Sequence, residues 1–390
     1  MRRLLRAAVA GALALSLAAT TAGAATASGA ERLTDLAEDL VAAGAPGVVV
    51  RVDDGRRVTE FARQARWTLR DHRLRPDDQF RVASNTKTVT ATIALQLVAE
   101  GRLALADPVE RWLPGVVPNG GAITVEMLLK QTSGLYDFLD DPRLVGLVTG
   151  QEPRRWRPAE LVAVAVEHPP LFAPGERWDY SNTNYALAGM VLESASGLTY
   201  GELVRRRVVE PLRLTGTRLP TDATFPGRHA HGYEPDAEHL APHLPPGTPP
   251  GTGFAGPEHD GHVDVTGIDT SPAWAAGGMT STARDWQRFQ AALFSGRLLP
   301  REQLRAMLAT VPQDAGTDRY GLGVMEISTP CGTVWGHTGG LPGYSTHHFA
   351  DRTGTRTLTV LTTRMERFAP ENTAIEQSLF HAAVCRMYSR

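Results

Sequence analysis

Three short segments, Ser84-Asn85-Thr86-Lys87, Tyr180-Ser181-Asn182 and His337-Thr338-Gly339, are spread across most of the 390-residue chain. Their side chains are useful only in one another's company: a hydroxyl with an amine three residues on, a phenol beside an amide, and a histidine running into bare glycine backbone. A fold that unites them must bring an early, a middle and a late part of the chain to one place. One composite domain is therefore favoured over a row of separate ones, and the assembled set is suited to acyl transfer. Any one segment alone is weak, since Ser-x-x-Lys and His-x-Gly recur by chance. Their order and spacing carry the argument.

At the start of a helix, residues three apart share a face, so Ser84 Oγ and Lys87 Nζ are expected within hydrogen-bond distance. Lys87 can then take the Ser84 proton, provided burial or a cationic neighbour lowers its pKa from the ordinary value of about 10.4. The helix dipole adds to that depression and steadies negative charge at Ser84. Tyr180 offers a second route, as a phenolate that receives the proton and passes it to a leaving group. Which of Lys87 and Tyr180 is the base in each step stays open. Asn182 is expected to orient Lys87 and the substrate amide. The backbone N–H groups of Ser84 and Gly340 are the candidate oxyanion hole, where a single donor is typically worth ~3 kcal/mol. Thr338 and Gly339 offer backbone that a ligand can approach closely. A protonated His337 is expected to complement substrate charge and to help hold Tyr180 ionised.

With 42% hydrophobic and 21% charged residues the chain can bury a large core. A net charge of -2 with the signs mixed leaves no basic field for nucleic acid or an anionic membrane. The run Arg205-Arg206-Arg207 reads as a solvated helix face. Residues 1–27 read as a secretory signal peptide: Arg2, Arg3 and Arg6 precede an apolar run over 7–19, followed by the small-residue sites Ala22-Gly23-Ala24 and Ala25-Thr26-Ala27. That run is shorter than the ~20 residues needed to span a bilayer, and no Cys follows it to accept lipid. A secreted monomer without a stable membrane anchor is expected. Cys331 and Cys385 are the only cysteines, and in an exported protein they are expected to pair.

Periodicity predicts a helix over 33–43, a strand over 47–52 turned by Asp53-Asp54-Gly55 into a second strand, and a helix over 86–100 on the spacing of Val89, Ile93 and Leu97. Residues 103–214 read as short helices, with one over 185–196. Residues 228–269, rich in Pro, Gly and His, read as a long surface loop. Strands follow over 320–326, 333–338, 344–349 and 355–362, then a helix over 371–388. The implied class is α+β over residues 31–390. One antiparallel sheet flanked by helices forms from 31–80 and 285–390, a mostly helical lobe fills 81–284, and a cleft lies between them.

On these segments the chain resembles the serine hydrolases of the class C β-lactamase type, especially secreted D-alanyl-D-alanine carboxypeptidases with a His-Thr-Gly third motif. The likeness extends to Phe80-Arg81-Val82-Ala83, Leu128 to Leu135, Ala173-Pro174-Gly175, Tyr180 to Asn184, Gly277-Gly278-Met279 with Ser281-Thr282, Tyr320 to Gly323 and Gly339 to Tyr344. The resemblance implies the β-lactamase/transpeptidase fold, Ser84 as acylated nucleophile, Lys87 and Tyr180 as proton-transfer pair and Trp274 as a cleft-lining aromatic. It implies a small peptide, ester or β-lactam as substrate, with cell-wall peptide among the options, and no cofactor. Two departures bear on substrate. Family members that cut D-Ala-D-Ala can carry an Arg ahead of the third motif to pair with the terminal carboxylate, yet Tyr320 to Gly336 holds no Arg or Lys. Gly340 also offers no hydroxyl, which leaves Thr338 as the main candidate. Both shift weight toward esterases, amidases and D-amino-acid peptidases.

Two other classes are weighed. A binding or sensor domain would keep the site without turnover, but an intact Ser84, Lys87, Tyr180 and Asn182 speaks for catalysis. A metal site would draw on His229, His231, His239, His243, His259 and His262, whose spacings match no ligand set beyond His239 and His243. These read as solvated loop histidines, and no metal is expected. His347 and His348 alternate faces on a strand and cannot share a site.

Overall fold

The computed structural model describes residues 29–152, 154–243, 250–313, 318–365 and 372–389. The proposed signal segment lies outside them. Among the described residues the main feature is an eight-stranded antiparallel sheet. The strands are β1 (Gly47–Asp53), β2 (Val58–Gln64), β3 (Val311–Pro312), β4 (Arg319–Tyr320), β5 (Met325–Thr329), β6 (Gly332–Leu341), β7 (Tyr344–Ala350) and β8 (Thr357–Thr362). Their order across the sheet is β2, β1, β8, β7, β6, β5, β4, β3. The first hairpin thus docks on the last strand, and the two ends of the chain close one sheet.

The sheet is covered on both faces, which is why β1 reads as a nearly continuous apolar run instead of alternating. Val48, Val50 and Val52 pack with Leu33 and Leu40 of helix α1 (Gly29–Ala42) and with Leu379 and Val384 of the C-terminal helix Thr373–Tyr388. Val49 points the other way, into a larger core shared with the helical lobe. At the centre of that core is α2 (Thr86–Ala99), buried on nearly every side. Its threonines satisfy their own hydroxyls: Thr88 donates to the Gly323 carbonyl at 2.7 Å and Thr90 to that of Ala275 at 2.8 Å. A helix α3 (Asn182–Ser196) packs against α2. The disulfide joins Cys331, just before β6, to Cys385 of the last helix, with Cα atoms 5.0 Å apart.

Two expectations differ from the structure. The strand expected over 320–326 is broken into β4 and β5, because Gly323 adopts a φ of +71° beside the Lys87 carbonyl, where a Cβ would meet that oxygen at 2.8 Å. Residues 228–269 are also no plain loop. Tyr233–Pro235, His262–Asp264 and Glu258–His259 form a small antiparallel sheet over its own core of Leu240, Phe254, Val263, Val265 and Ile268. His229, His231, His259 and His262 are half-buried and engaged, whereas His239 is exposed. His231 bonds Asp264 at 2.8 Å and stacks on His229 and His72, and His259 bonds Asp71 at 2.8 Å. His347 and His348 do face opposite ways, the first against Phe380 and the second against Phe80 and Trp286.

Candidate active site

The nucleophile turn follows a short strand, Phe80–Arg81, that pairs with Thr280–Ser281. Ala83 then takes a φ of +51°, the left-handed region, at a cost of about 1–2 kcal/mol for a non-glycine residue. This reverses the chain sharply. Ser84 emerges partly exposed on a single 3-10 turn, Ala83–Asn85, while its neighbours Val82, Ala83 and Asn85 stay buried. The turn is stitched down on both sides: Val82 N–H donates to Met279 O at 3.1 Å, and Asn85 Nδ2 donates to Val82 O and to Thr346 Oγ1 of β7, both at 2.9 Å. Behind it Arg81 is buried and donates to the carbonyl oxygens of Thr266 (2.7 Å) and Ile268, pinning the 265–268 backbone.

Lys87, the second residue of α2, has no exposed surface. Its Nζ lies 3.2 Å from Ser84 Oγ, 2.8 Å from Asn182 Oδ1 and 2.7 Å from the Ala276 carbonyl oxygen. Burial lowers its pKa from 10.5 to about 7. The geometry says what the neutral form does. An uncharged amine has two N–H bonds and one lone pair, and Asn182 Oδ1 and Ala276 O can only accept. They take the two protons, so the lone pair is left facing the Ser84 hydroxyl.

Tyr180 lies beside Ser84, and its ring centroid is 4.8 Å from Lys87 Nζ. Here two charge states expected from the sequence are corrected. Burial raises the Tyr180 pKa well above 10, so it is a phenol and not a phenolate. Burial and the nearby Lys87 lower that of His337 to about 3, so its ring is uncharged at neutral pH. His337 is a structural joint: its Nδ1 lies 2.5 Å from Thr338 O and its Nε2 lies 3.0 Å from the Tyr320 hydroxyl. A ring held this way neither complements an anion nor stabilises a phenolate. The phenol of Tyr180 is left as a proton donor, suited to a leaving group or to Ser84.

Pairing between β5 and β6 ends at Gly336, while pairing between β6 and β7 runs on to Leu341. The stretch His337 to Gly340 therefore lies past the end of the β5 ladder. It also lies against the nucleophile turn, since a Cβ on Gly339 would come within 2.5 Å of Val82 O and 2.8 Å of Asn85 Nδ2. Gly340 is exposed next to it, where its N–H and that of Ser84 are the candidate oxyanion donors. Thr338 turns its hydroxyl to Met325 Sδ at 3.7 Å. Trp274 does not join the cluster through its ring, which packs edge-to-face on Tyr200 at 5.0 Å and fills the space over Gly189. Its backbone, with a φ of +39°, leads instead into the turn that presents Ala276 O to Lys87.

The structure thus gathers Ser84, Lys87, Tyr180, Asn182, His337, Gly339 and Gly340, and sets Trp274 and Thr338 at the margin. Sequence reasoning missed the Ala276 carbonyl and the Tyr320 hydroxyl. It also missed Asp137, a buried carboxylate that accepts from Asn182 Nδ2 at 2.9 Å. The available signal was an acidic residue set among Leu135, Phe138 and Leu139.

The lysine fixes the pH dependence of acylation. Below about pH 7 Lys87 is a cation with no lone pair, and above it the lone pair is free. With a neutral ester, kcat/KM should rise with pH through a midpoint near 7 and level off above. A profile flat from pH 5 to 9 would contradict this arrangement.

The Beta-lactamase family model matches residues 33–382. Penicillin-binding protein 4* of Bacillus subtilis strain 168 is 28% identical over 80% of this chain, which spans 65% of that relative's length. Among solved structures, a D-stereospecific amidohydrolase from a Streptomyces species is 38% identical, with a TM-score of 0.74 over 88% of this chain and 97% of the other. The D-amino acid amidase of Ochrobactrum anthropi SV3 superposes with a TM-score of 0.76 at 27% identity, over 92% of this chain and 97% of the other. The matched region takes in all three segments and every residue of the cluster, and on that ground this chain belongs to the beta-lactamase family of serine hydrolases.

Proposed function

We propose that the protein is an exported amidohydrolase that acylates Ser84, with Lys87 as base and Tyr180 as proton donor. Its preferred substrates are D-configured amino-acid amides or peptides whose leaving group is uncharged. The observation that carries this reading is the lack of cationic help along the third-motif strand. Tyr320 to Gly336 has no Arg or Lys, and His337 is neutral, so a terminal carboxylate would be desolvated without a partner. The likeness to the Streptomyces amidohydrolase, which spans nearly the whole of that protein, supports the D-amide preference. Export is supported by the N-terminal segment and by the Cys331–Cys385 bond. Among the described residues no helix is long and apolar enough to cross a membrane.

A second reading, D-alanyl-D-alanine carboxypeptidase, is favoured by the Bacillus penicillin-binding relative. Steady-state kcat/KM on D-phenylalanine amide, L-phenylalanine amide, a D-Ala-D-Ala peptide, a nitrophenyl ester and nitrocefin separates the two. The amidase reading expects the D-amide to exceed the D-Ala-D-Ala peptide by at least about tenfold, the scale of one unpaired polar contact. The reverse order would establish the carboxypeptidase and reject the amidase.

A further inference from the structure

Asp137 is 7% exposed and lies between the nucleophile cluster and the helical lobe. Its carboxylate accepts from the Leu139 N–H at 3.1 Å and from Asn182 Nδ2 at 2.9 Å. Asn182 is the first residue of α3, whose N-terminus favours a negative group there. The surrounding chain is fastened to the same helix start: Tyr136 O accepts from the Ser181 and Thr183 hydroxyls, and the Phe138 N–H donates to Thr183 Oγ1 at 3.1 Å. Asp137 is therefore held rigidly, and it acts on only one atom of the asparagine side chain.

An asparagine amide has an oxygen end and a nitrogen end of nearly the same shape. Turned the other way, Asn182 would offer Lys87 an N–H donor. The lysine would then have one strict acceptor instead of two, and its lone pair would no longer be committed to Ser84. An acceptor on the nitrogen end forbids that. We infer that Asp137 is a positioning residue for the acyl-transfer reaction, holding the Asn182 amide in the one orientation that aims the Lys87 lone pair at Ser84. The role rests on the acyl-transfer reading of the site and is independent of which substrate is cleaved.

The inference also assigns an electrostatic effect. Lys87 is faced by the rings of Tyr180 (4.8 Å) and Tyr185 (5.5 Å), by His337 and, across the amide, by Asp137. Tyr180, Tyr185 and Tyr320 are held protonated and His337 unprotonated across the neutral range, which leaves Lys87 to titrate there, while burial raises the pKa of the Asp137 carboxyl above its ordinary value. A carboxylate near an amine favours the ammonium form, so removing the charge should push the lysine further down.

The chain makes a direct measurement practical, because its only lysines are Lys87 and Lys130. In protein made with 13C-labelled lysine, a pH titration followed by NMR gives two signals, and Lys130 is identified by its ion pair with Glu126 on the surface. Asp137→Asn keeps the shape and removes the charge. The Lys87 midpoint is expected to fall by about one pH unit. At its own optimum kcat on a nitrophenyl ester is expected to fall about tenfold, with KM little changed. Asp137→Ser, which retains an acceptor for the Leu139 N–H, should shift the midpoint in the same direction. A folded variant with an unmoved midpoint and a kcat within twofold of the parent overturns the inference. Failure of both variants to fold makes Asp137 purely structural and overturns it too. If the parent itself does not turn over the ester, the acyl-transfer reading fails, and the titration alone still decides on Asp137.

Discussion

Ser84→Ala and Lys87→Met should each lower kcat by on the order of 10⁴- to 10⁶-fold, and the double variant should be no slower than either single one. The reason is the shared proton. Ser84 is a weak nucleophile until its hydroxyl hydrogen has somewhere to go, and the lone pair on Lys87 Nζ, 3.2 Å away, is that destination. Removing either partner ends the same step, so the two losses do not add. The barrier increase corresponds to about 5–8 kcal/mol. Met is chosen at 87 because it fills a similar volume in a fully buried position. Two readouts check the result: turnover of a nitrophenyl ester, and covalent labelling by a fluorescent penicillin, which Ser84→Ala should abolish. Persistent labelling of the alanine variant would mean that another residue is acylated. A double variant much slower than both singles would mean that serine and lysine act in separate steps.

Replacing both Cys331 and Cys385 by Ser should destabilise the fold by about 4 kcal/mol, the chain-entropy value for a bond closing a loop of sequence separation 54. That is a large share of a typical domain's 5–15 kcal/mol, and with about 2.1 cal/mol/K of unfolding entropy per residue in a chain of this length it should appear as a melting temperature lower by roughly 5 °C. The position of the bond gives it leverage. Cys331 directly precedes β6, the strand that carries His337 and Gly340, and Cys385 belongs to the helix that covers the far face of the sheet. Cys385 is solvent-exposed, so reductant should reproduce the effect in the unaltered protein. A thermal melt unchanged by reduction or by the double substitution would show that packing alone seats the strand.

How far the sequence revealed this molecule follows from the range of the forces involved. The α2 helix, the first hairpin and strands β6 to β8 were legible because their signals are local: apolar spacing, β-branched runs and turn residues. The sheet that joins both ends of the chain was legible because the three motifs had to meet. The small sheet within 228–269 was not. Its strands are two or three residues long and show no period. They are held from outside, by Trp67 against Tyr233 at 4.9 Å and by the Tyr233 hydroxyl on Asp71 at 2.9 Å. Charge states were also out of reach. A tyrosine near a lysine suggests a phenolate, and a histidine near a phenolate suggests an imidazolium, yet desolvation keeps Tyr180 protonated and, together with Lys87, keeps His337 neutral, and burial is a property of the finished fold. Asp137 was overlooked for the same reason: its apolar neighbours Leu135, Phe138 and Leu139 hint at burial, but only the finished fold sets it against Asn182.

Gly339 and Gly340 stand side by side, but their surroundings differ. A side chain at 339 would strike backbone and fixed polar atoms of the nucleophile turn, whereas at 340 its first neighbour is the flexible end of Met365, at 3.1 Å. The earlier position is thus locked by the architecture, and the later one is open to variation. A side chain introduced at 340 would meet only that flexible end and leave the scaffold intact. In this protein, the edge of the site can therefore vary one residue past the point where the chain tolerates no change.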